Sequence, residues 1–176
     1  MNRDILRMAA MLHDVGKVGI TDVILKKPAR LTPEEYQIMQ YHTVAGARLF
    51  EDSTSDLDKL SAEIALNHHE RWDGRGYPGY VDINTGQPIA GRMTQDGKPL
   101  GKREEEISLF GRIVSIADVY DALCSRRSYK EPWSEEEALA EIESQAGKMF
   151  DPELVKMFFS IQDVIGVIKQ HYPDTD

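Results

Sequence analysis

Cysteine is almost absent from this chain of 176 residues, in which Cys124 is the one thiol. An intrachain disulfide and a zinc site built from thiolates are therefore excluded, and the scarcity fits a reducing cytoplasm. Long apolar runs are also missing: no stretch is long enough to span a membrane, and none has the pattern of a secretory signal peptide. We therefore expect a cytoplasmic protein with no membrane-embedded part.

Basic residues are the second shortage, since 21 Lys and Arg stand against 30 Asp and Glu, for a net charge of −9. This balance argues against a general nucleic-acid groove, and we expect no DNA partner. A small anionic substrate stays compatible with the charge if metal ions and a few local cations offset it. The length and the 41% apolar content predict one domain with a core of its own.

Helical periodicity dominates the chain and predicts an all-α fold. An apolar run over residues 5–12 predicts a first helix over residues 4–14, which Gly16 would end in the left-handed conformation. Two capping boxes mark further helix starts: Thr32 with Glu35, and Ser134 with Glu137. The helix that follows Thr32 is expected to break near His42.

The C-terminal part is expected to hold three helices, which begin at Ile107, after Ser134 and at Asp151-Pro152. The last of these helices has six apolar residues on its expected inner side: Leu154, Val155, Phe158, Ile161, Ile165 and Ile168. Between the helical parts, residues 71–106 are rich in glycine and proline and show no helical pattern.

Six polar side chains fall where the helical pattern faces inward: His13, Asp14, His42, His68, His69 and Asp118. Imidazoles with carboxylates suit divalent iron, manganese, cobalt, nickel or zinc. A carboxylate such as Asp14 can bridge two ions, and two ions a few ångströms apart clamp a phosphate ester and generate hydroxide at neutral pH. These residues therefore predict a divalent metal site, and we name them the six-residue cluster.

Each of these residues also has a simpler interpretation. The pair His13-Asp14 could merely cap a helix end, and His42 could be an ordinary core or surface histidine. Asp118 could cap a helix or pair with Arg112. Because every buried polar group would then need a separate partner, the coincidence on four helices favours the metal site.

Four stretches place the chain close to a known family: Leu12-His13-Asp14-Val15-Gly16-Lys17, His68-His69-Glu70-Arg71-Trp72-Asp73-Gly74-Arg75-Gly76-Tyr77-Pro78, Ala117-Asp118-Val119-Tyr120-Asp121 and Arg127-Ser128-Tyr129-Lys130. With His42 between the first two, the chain resembles an HD-GYP domain, a branch of the HD phosphohydrolases. The resemblance covers almost the whole chain, and the stretch with Gly-Tyr-Pro is its most specific part.

The resemblance implies both a fold and an activity. The fold would be an HD-domain helical bundle over residues 1–176, with an irregular or β-hairpin insertion after the Gly-Tyr-Pro motif. The activity would be hydrolysis of the bacterial second messenger cyclic di-GMP to linear pGpG, to GMP or to both. A hydroxide that bridges two or more divalent ions, commonly iron or manganese, would attack the phosphorus.

The resemblance also implies roles for single residues. The six-residue cluster matches the family's metal ligands, and Asp14 and Lys17 would be catalytic, with Lys17 beside the scissile phosphate. The nucleotide would be contacted by four residues: Lys17, Asp121, Arg127 and Lys130. Three of those four are the cations that an acidic protein needs near a dianionic substrate.

Two departures from the family pattern lead to further expectations. The family's histidine and glutamate ligands before the His-Asp pair have no counterpart, so we expect an N-terminally truncated domain with fewer ions. The insertion, residues 80–106, is longer than usual in the family, and we expect a surface hairpin near the mouth of the site. A deletion that joins Gly79 to Glu105 should then leave a folded protein with a changed KM.

Several alternatives stay open. The chain could be a non-catalytic module that binds a cyclic dinucleotide or docks a protein, or an enzyme for another cyclic dinucleotide or a phosphomonoester. The Gly-Tyr-Pro loop, residues 74–78, would shape the site or also dock diguanylate cyclase (GGDEF) domains. Because the first helix is apolar on more than one face, its open side would be buried in a homodimer or by the chain's own insertion or C-terminal helix.

Overall fold

The computed structural model describes residues 3–125 and 132–171, and within these ranges the chain forms nine α-helices and no sheet. The helices are α1 (Arg3–Met11), α2 (Asp22–Leu25), α3 (Pro33–Gln40), α4 (His42–Arg48), α5 (Asp56–Asn67), α6 (Leu109–Cys124), α7 (Glu135–Ser144), α8 (Pro152–Ser160) and α9 (Gln162–His171). Two 3₁₀ turns cover Val15–Gly19 and Glu104–Glu106. The predicted all-α class is confirmed, and none of the described helices is long and apolar enough to cross a bilayer.

Helix starts follow the local capping chemistry that the sequence predicts. The Thr32 hydroxyl accepts the amide of Glu35 at 3.2 Å, and the Glu35 carboxylate accepts the amide of Thr32 at 2.7 Å. Ser134 and Glu137 repeat this box at 3.2 and 2.9 Å at the start of α7. The predicted break near His42 is also confirmed, because α3 ends at Gln40 and α4 begins at His42.

The end of the first helix differs from the prediction. α1 stops at Met11, and residues 12–14 form tight turns before the 3₁₀ turn. Gly16 does not adopt the left-handed conformation. It is needed for close approach instead, because a Cβ on Gly16 would lie 1.9 Å from the His42 carbonyl oxygen. The His-Asp pair is therefore held in a turn that touches the backbone of α4.

The core has two clusters that share α6. Ala9 of α1, Leu60 and Ile64 of α5, and Val114 of α6 form the first cluster. The second joins α6 to α7 and α8 through six buried residues: Ile116, Tyr120, Ala138, Ile142, Phe150 and Val155. Because both faces of α6 are packed, the position of its side chains relative to α1 and α5 is fixed.

The surface of α1 is partly apolar. Ala9 is fully buried, and Ile5 and Leu6 pack against the first cluster. Met8 and Met11 are 43% and 75% exposed, so one apolar side of α1 faces solvent in the described chain. A homodimer that covers this side stays a prediction.

The C-terminal helix differs from the single long helix that the sequence predicts. The chain breaks at Ile161, between α8 and α9, and Ile161 and Ile168 are 49% and 52% exposed. Both side chains still lie on the side that faces α6, because they line one apolar cavity with Ile116 and Tyr120. Their predicted place on the inner side is therefore confirmed, although both remain half exposed to solvent. The other four predicted residues pack on the second cluster: Leu154, Val155, Phe158 and Ile165.

The insertion has the predicted hairpin character. Antiparallel bridges pair Val81 with Pro88 and Met93 with Pro99. The first hairpin is fixed to α4, because the Arg48 guanidinium donates to the carbonyl oxygens of Ile83 and Asn84 at 2.9 and 2.7 Å. The insertion is therefore more than a surface appendage.

Candidate metal centre

Four parts of the chain supply the six-residue cluster. His13 and Asp14 occupy the turn after α1, and His42 is the first residue of α4. His68 caps the C-terminal end of α5 and His69 follows it, while Asp118 lies within α6. Because α5 packs against α1, α4 and α6, these four parts meet beside the first core cluster.

The tightest group is formed by Asp14, His42, His68 and His69, whose candidate ligand atoms all lie within 4.8 Å of one another. Asp14 Oδ1 is 3.3 Å from His42 Nε2 and 3.8 Å from His68 Nε2. The two Nε2 atoms of His42 and His68 are 3.4 Å apart. Three imidazoles and one carboxylate at these separations are a donor set suited to one divalent cation.

A second group lies on the other side of Asp14. His13 Nε2 is 3.4 Å from Asp14 Oδ2 and 3.6 Å from Asp118 Oδ1. The two oxygens of Asp14 therefore face different histidines, Oδ1 toward His42 and His68 and Oδ2 toward His13. This arrangement is the one expected of a carboxylate shared between two cations.

Backbone carbonyls orient three of the imidazoles. The Nδ1 atoms of His13 and His42 each lie 2.7 Å from a carbonyl oxygen, of Ala10 and Met39 respectively. His68 Nδ1 lies 3.0 Å from the Ala65 oxygen. Since a carbonyl can only accept, Nδ1 carries a proton in each ring and Nε2 points into the cluster. Metal-ligating histidines are typically fixed in this way.

Two buried polar atoms of the cluster lack a hydrogen-bond partner in the part of the chain that the structure describes: His13 Nε2 and Asp14 Oδ1. An unpartnered buried acceptor costs free energy, and native proteins rarely retain one without a water molecule or an ion. His13 Nε2 lies beside the carboxylates of Asp14 and Asp118, and Asp14 Oδ1 lies beside the Nε2 atoms of His42 and His68. The residues present therefore fit divalent cations.

The electrostatics agree with that fit. Burial lowers the pKa of His42 to about 4 and the pKa of His69 to about 3, so both rings are neutral at neutral pH. Burial alone would lower the pKa of His13, but Asp118 and Asp14 raise it to about 10, so a cation bound there would displace a proton from Nε2. Burial would raise the pKa of Asp14, yet contacts with His13 and Lys17 hold it well below its usual range. The carboxylates thus attract a positive charge to this position.

Of the four residues predicted to contact the substrate, the structure describes two, Lys17 and Asp121. The Lys17 ammonium contacts Asp14 Oδ2 and is partly exposed at the cluster. Asp121 lies one turn beyond Asp118 on α6, is exposed, and accepts the Ser125 hydroxyl at 3.4 Å. Arg127 and Lys130 lie outside the described residues.

The simpler interpretation of Asp118 is wrong. Its proposed partner Arg112 binds the buried carboxylate of Asp151 at 2.6 Å and lies over the Trp72 ring at 5.6 Å. Asp118 faces His13 instead.

Comparison with known proteins decides the family. The family model of the HD domain matches residues 1–123. The chain belongs to the HD domain family.

Relatives of this HD domain are similar over nearly all of its length. It is 44% identical over 171 residues to a cyclic di-GMP phosphodiesterase of Thermotoga maritima, covering 97% of this chain and 41% of that protein. It is 38% identical over 171 residues to the 3'3'-cGAMP-specific phosphodiesterase 2 of Vibrio cholerae, covering 97% of this chain and 29% of that protein. The chain thus spans less than half the length of these relatives, and its resemblance to the HD-GYP branch is confirmed.

The fold of the HD domain is also shared with a solved structure. A crystal structure of a cyclic GMP-AMP specific phosphodiesterase of Vibrio cholerae matches 94% of this chain and 39% of that chain, with a TM-score of 0.56 and 19% identity. At this identity the match supports the fold of the HD domain.

One group near the metal centre is missed by sequence reasoning. Glu70 is 2% exposed, and its carboxylate accepts the backbone amides of Gly79 at 2.6 Å and Lys102 at 3.2 Å. The Lys102 ammonium in turn donates to Asn67 at 2.6 Å. An acidic residue directly after two inward histidines is the sequence feature that could have indicated this group. It ties the insertion to the end of α5, next to His69.

Proposed function

We propose that this HD domain hydrolyses a phosphodiester bond of a cyclic dinucleotide, with cyclic di-GMP as its substrate and pGpG, GMP or both as products. The observation that carries the proposal is the six-residue cluster, in which imidazole and carboxylate groups from four parts of the chain converge. Two of its buried atoms, His13 Nε2 and Asp14 Oδ1, lack a hydrogen-bond partner within the described residues. The names of the two relatives, both phosphodiesterases of cyclic dinucleotides, support the same substrate class.

The cluster would hold two or more divalent cations, iron or manganese first among them. His42, His68 and His69 would bind on the Oδ1 side of Asp14, and His13 and Asp118 on the Oδ2 side. Bound there, the ions would activate water at neutral pH and offset the negative charge of the phosphate.

The chain's own residues would orient the ligands and offset negative charge on the substrate. The Nδ1 hydrogen bonds to Ala10, Met39 and Ala65 hold three rings in the tautomer that binds a cation. The Lys17 ammonium, beside Asp14, would stabilise negative charge on a non-bridging or leaving oxygen. Asp121, with Arg127 and Lys130, would contact the nucleotide.

The experiment is a product assay. Metal-free protein is loaded with Mn(II), or with Fe(II) without oxygen, and incubated with cyclic di-GMP and with 3'3'-cGAMP, and the products are resolved by chromatography. We expect linear and mononucleotide products, and a loss of at least about 100-fold in Asp14→Ala, because removing a shared ligand should cost about 3 kcal/mol or more of transition-state stabilisation. Asp22→Ala is the matched control, since Asp22 is exposed and its carboxylate pairs with Lys26, which directly follows α2.

Each other outcome has a defined meaning. Tight binding of the dinucleotide by metal-loaded protein without any product would favour the non-catalytic module. Turnover of 3'3'-cGAMP alone would keep the enzyme and change its substrate. Equal turnover by Asp14→Ala and the unchanged chain would contradict the proposal.

Partners of the Gly-Tyr-Pro loop are a separate question. The ring of Tyr77 is stacked on His69 rather than presented to solvent alone, which favours a structural role for the loop over docking of a diguanylate cyclase domain.

A further inference from the structure

His69 is held differently from the other histidines of the cluster. The rings of His13, His42 and His68 are each fixed by a backbone carbonyl oxygen. For His69, residues 3–125 and 132–171 provide no hydrogen bond to the ring, although its neutral imidazole belongs to the tightest ligand group. Something other than a hydrogen bond must set its orientation.

The aromatic ring of Tyr77 stacks on the imidazole of His69, with the two ring centroids 4.8 Å apart and the planes 27° from parallel. His68, the neighbour in sequence, lies closer, at 4.1 Å, but its ring is tilted by 44° and does not stack. His42 meets His69 nearly edge-on, at 5.1 Å and 85°. A flat ring on one face and an edge at right angles leave the imidazole little freedom to rotate.

Tyr77 is itself anchored on both sides in the chain. Its backbone amide donates to the His69 carbonyl oxygen at 3.2 Å. Two residues later, the amide of Gly79 donates to the buried Glu70 carboxylate at 2.6 Å. Its ring also meets Tyr36 edge-on at 6.1 Å. The tyrosine is therefore placed by contacts with the residues that follow α5, where His69 lies.

The glycines on either side of Tyr77 make this placement possible. A Cβ on Gly76 would lie 2.3 Å from the Arg71 amide nitrogen, so the loop crosses the backbone just beyond His69. Gly79 has a φ of +75°, and a Cβ there would lie 2.3 Å from the Leu100 carbonyl oxygen. Only glycine fits such contacts. The Gly-Tyr-Pro loop is thus shaped to return Tyr77 onto His69.

We propose that Tyr77 is a positioning residue of the metal centre. Its ring orients the imidazole of His69, as backbone carbonyl oxygens orient the imidazoles of the other three histidines. The inference rests on the metal centre of the proposed function and is independent of the substrate and the reaction. It assigns the Gly-Tyr-Pro loop to support of a ligand.

The test is a Co(II) titration of metal-free protein, followed by the visible ligand-field spectrum and by the affinity of each site. Tyr77→Phe retains the flat ring, whereas Tyr77→Leu retains only apolar bulk. Tyr80→Leu is the matched control, because Tyr80 lies in the same stretch of chain and its ring contacts Arg92. Circular dichroism and thermal unfolding check that each variant is folded.

We expect Tyr77→Leu to weaken one Co(II) site by about 10- to 100-fold and to change its spectrum, as loss of a supporting contact to a ligand does. Tyr77→Phe and Tyr80→Leu should match the unchanged chain. Equal affinity and spectrum in Tyr77→Leu would overturn the proposal, as would an equally large loss in Tyr77→Phe, which would assign the effect to the hydroxyl. If the unchanged chain bound no Co(II), the metal centre itself would be contradicted.

A second measurement needs no variant and covers the case in which Tyr77→Leu does not fold. In the Zn(II)-loaded chain with labelled histidine, NMR should show close contacts between the ring protons of His69 and Tyr77 and an upfield ring-current shift of the His69 protons. Absence of both would overturn the proposal.

Discussion

At the scale of residues, the metal centre depends on a contact that recurs three times. In His13, His42 and His68 the ring nitrogen Nδ1 meets the carbonyl oxygen of the residue three positions earlier. Each imidazole is therefore aimed by the backbone of its own turn, and its Nε2 atom is presented with a defined direction. Because the side chains are already ordered, less conformational entropy is lost when a cation binds.

The first prediction concerns one of these histidines. His42→Ala should remove a ligand from the tightest group, so the protein should bind fewer divalent ions and the remaining affinity should fall by at least about 10-fold. His171→Ala is the matched control, because His171 is exposed at the end of α9. Elemental analysis and calorimetric titration with Mn(II) measure both quantities. Equal stoichiometry and affinity in the two variants would show that His42 is not a ligand of the metal centre.

Glu70 shows how residues near the centre link it to the insertion. Its buried carboxylate accepts two backbone amides, from Gly79 and from Lys102. Burial raises its pKa to about 7, although Lys102 and the two amides oppose that rise. The two accepted amides identify Glu70 as a structural anchor.

The second prediction is a loss of stability in Glu70→Ala. Two backbone amides lose their acceptor, and each unpartnered buried donor costs about 1–3 kcal/mol, so the free energy of unfolding should fall by at least about 2 kcal/mol. Glu105→Ala, at an exposed position of the same segment, should change it by less than about 0.5 kcal/mol. Urea unfolding measures both, and equal stabilities would show that the Glu70 contacts contribute nothing.

At the scale of elements, the insertion has a loose end and a fixed end. Residues 94–98 form the tip of the second hairpin and are largely exposed. Lys102 and Gly101 pack on the chain after α5, since a Cβ on Gly101 would lie 2.3 Å from the Gly74 carbonyl oxygen. These contacts change the expected result of removing the whole insertion.

The third prediction compares two deletions. Replacing residues 94–98 by Asn-Gly should leave the thermal midpoint and Mn(II) binding unchanged, because this turn suits a two-residue hairpin. Joining Gly79 to Glu105, which the sequence alone suggests is tolerated, should instead destabilise the fold, because Glu70 loses the Lys102 amide. Thermal unfolding of both variants measures these effects. If the variant that joins Gly79 to Glu105 were as stable as the unchanged chain, the insertion would be dispensable for folding, as the sequence alone suggests.

The parts of the structure that the sequence predicts are those with local causes. The boxes at Thr32 and Ser134 need contacts only three residues apart, and they are present. The close approach of Gly16 to α4 and the contact of Glu70 with Lys102 join segments distant in sequence, so periodicity could not predict them. The inward histidines were predicted because they continue apolar stripes. The carbonyl oxygens that orient their rings could be identified only from the structure.

At the scale of the whole molecule, the cluster connects the turn after α1, α4, the end of α5 and α6. Ions bound there would link elements across the first core cluster, and they would bind the folded state alone, since the unfolded chain has no preformed site. Metal content should therefore be visible in global stability.

The fourth prediction is a thermal shift on metal binding. Mn(II) at 100 times its Kd should stabilise the fold by about 2.7 kcal/mol, which corresponds to a rise in Tm of about 5–10 °C for a chain of this size. Chelator should reverse the shift. Asp14→Ala should show little shift and Asp22→Ala the full one in differential scanning calorimetry, and a full shift in Asp14→Ala would place the stabilising site elsewhere.

The most direct measurement of the central claim is anomalous X-ray diffraction from crystals of the Mn(II)-loaded protein. Ion peaks are expected on both sides of Asp14, one among His42, His68 and His69 and one beside His13 and Asp118. Peaks confined to other positions, or none at the cluster in crystals that contain manganese, would contradict the assignment of these six residues as a metal centre.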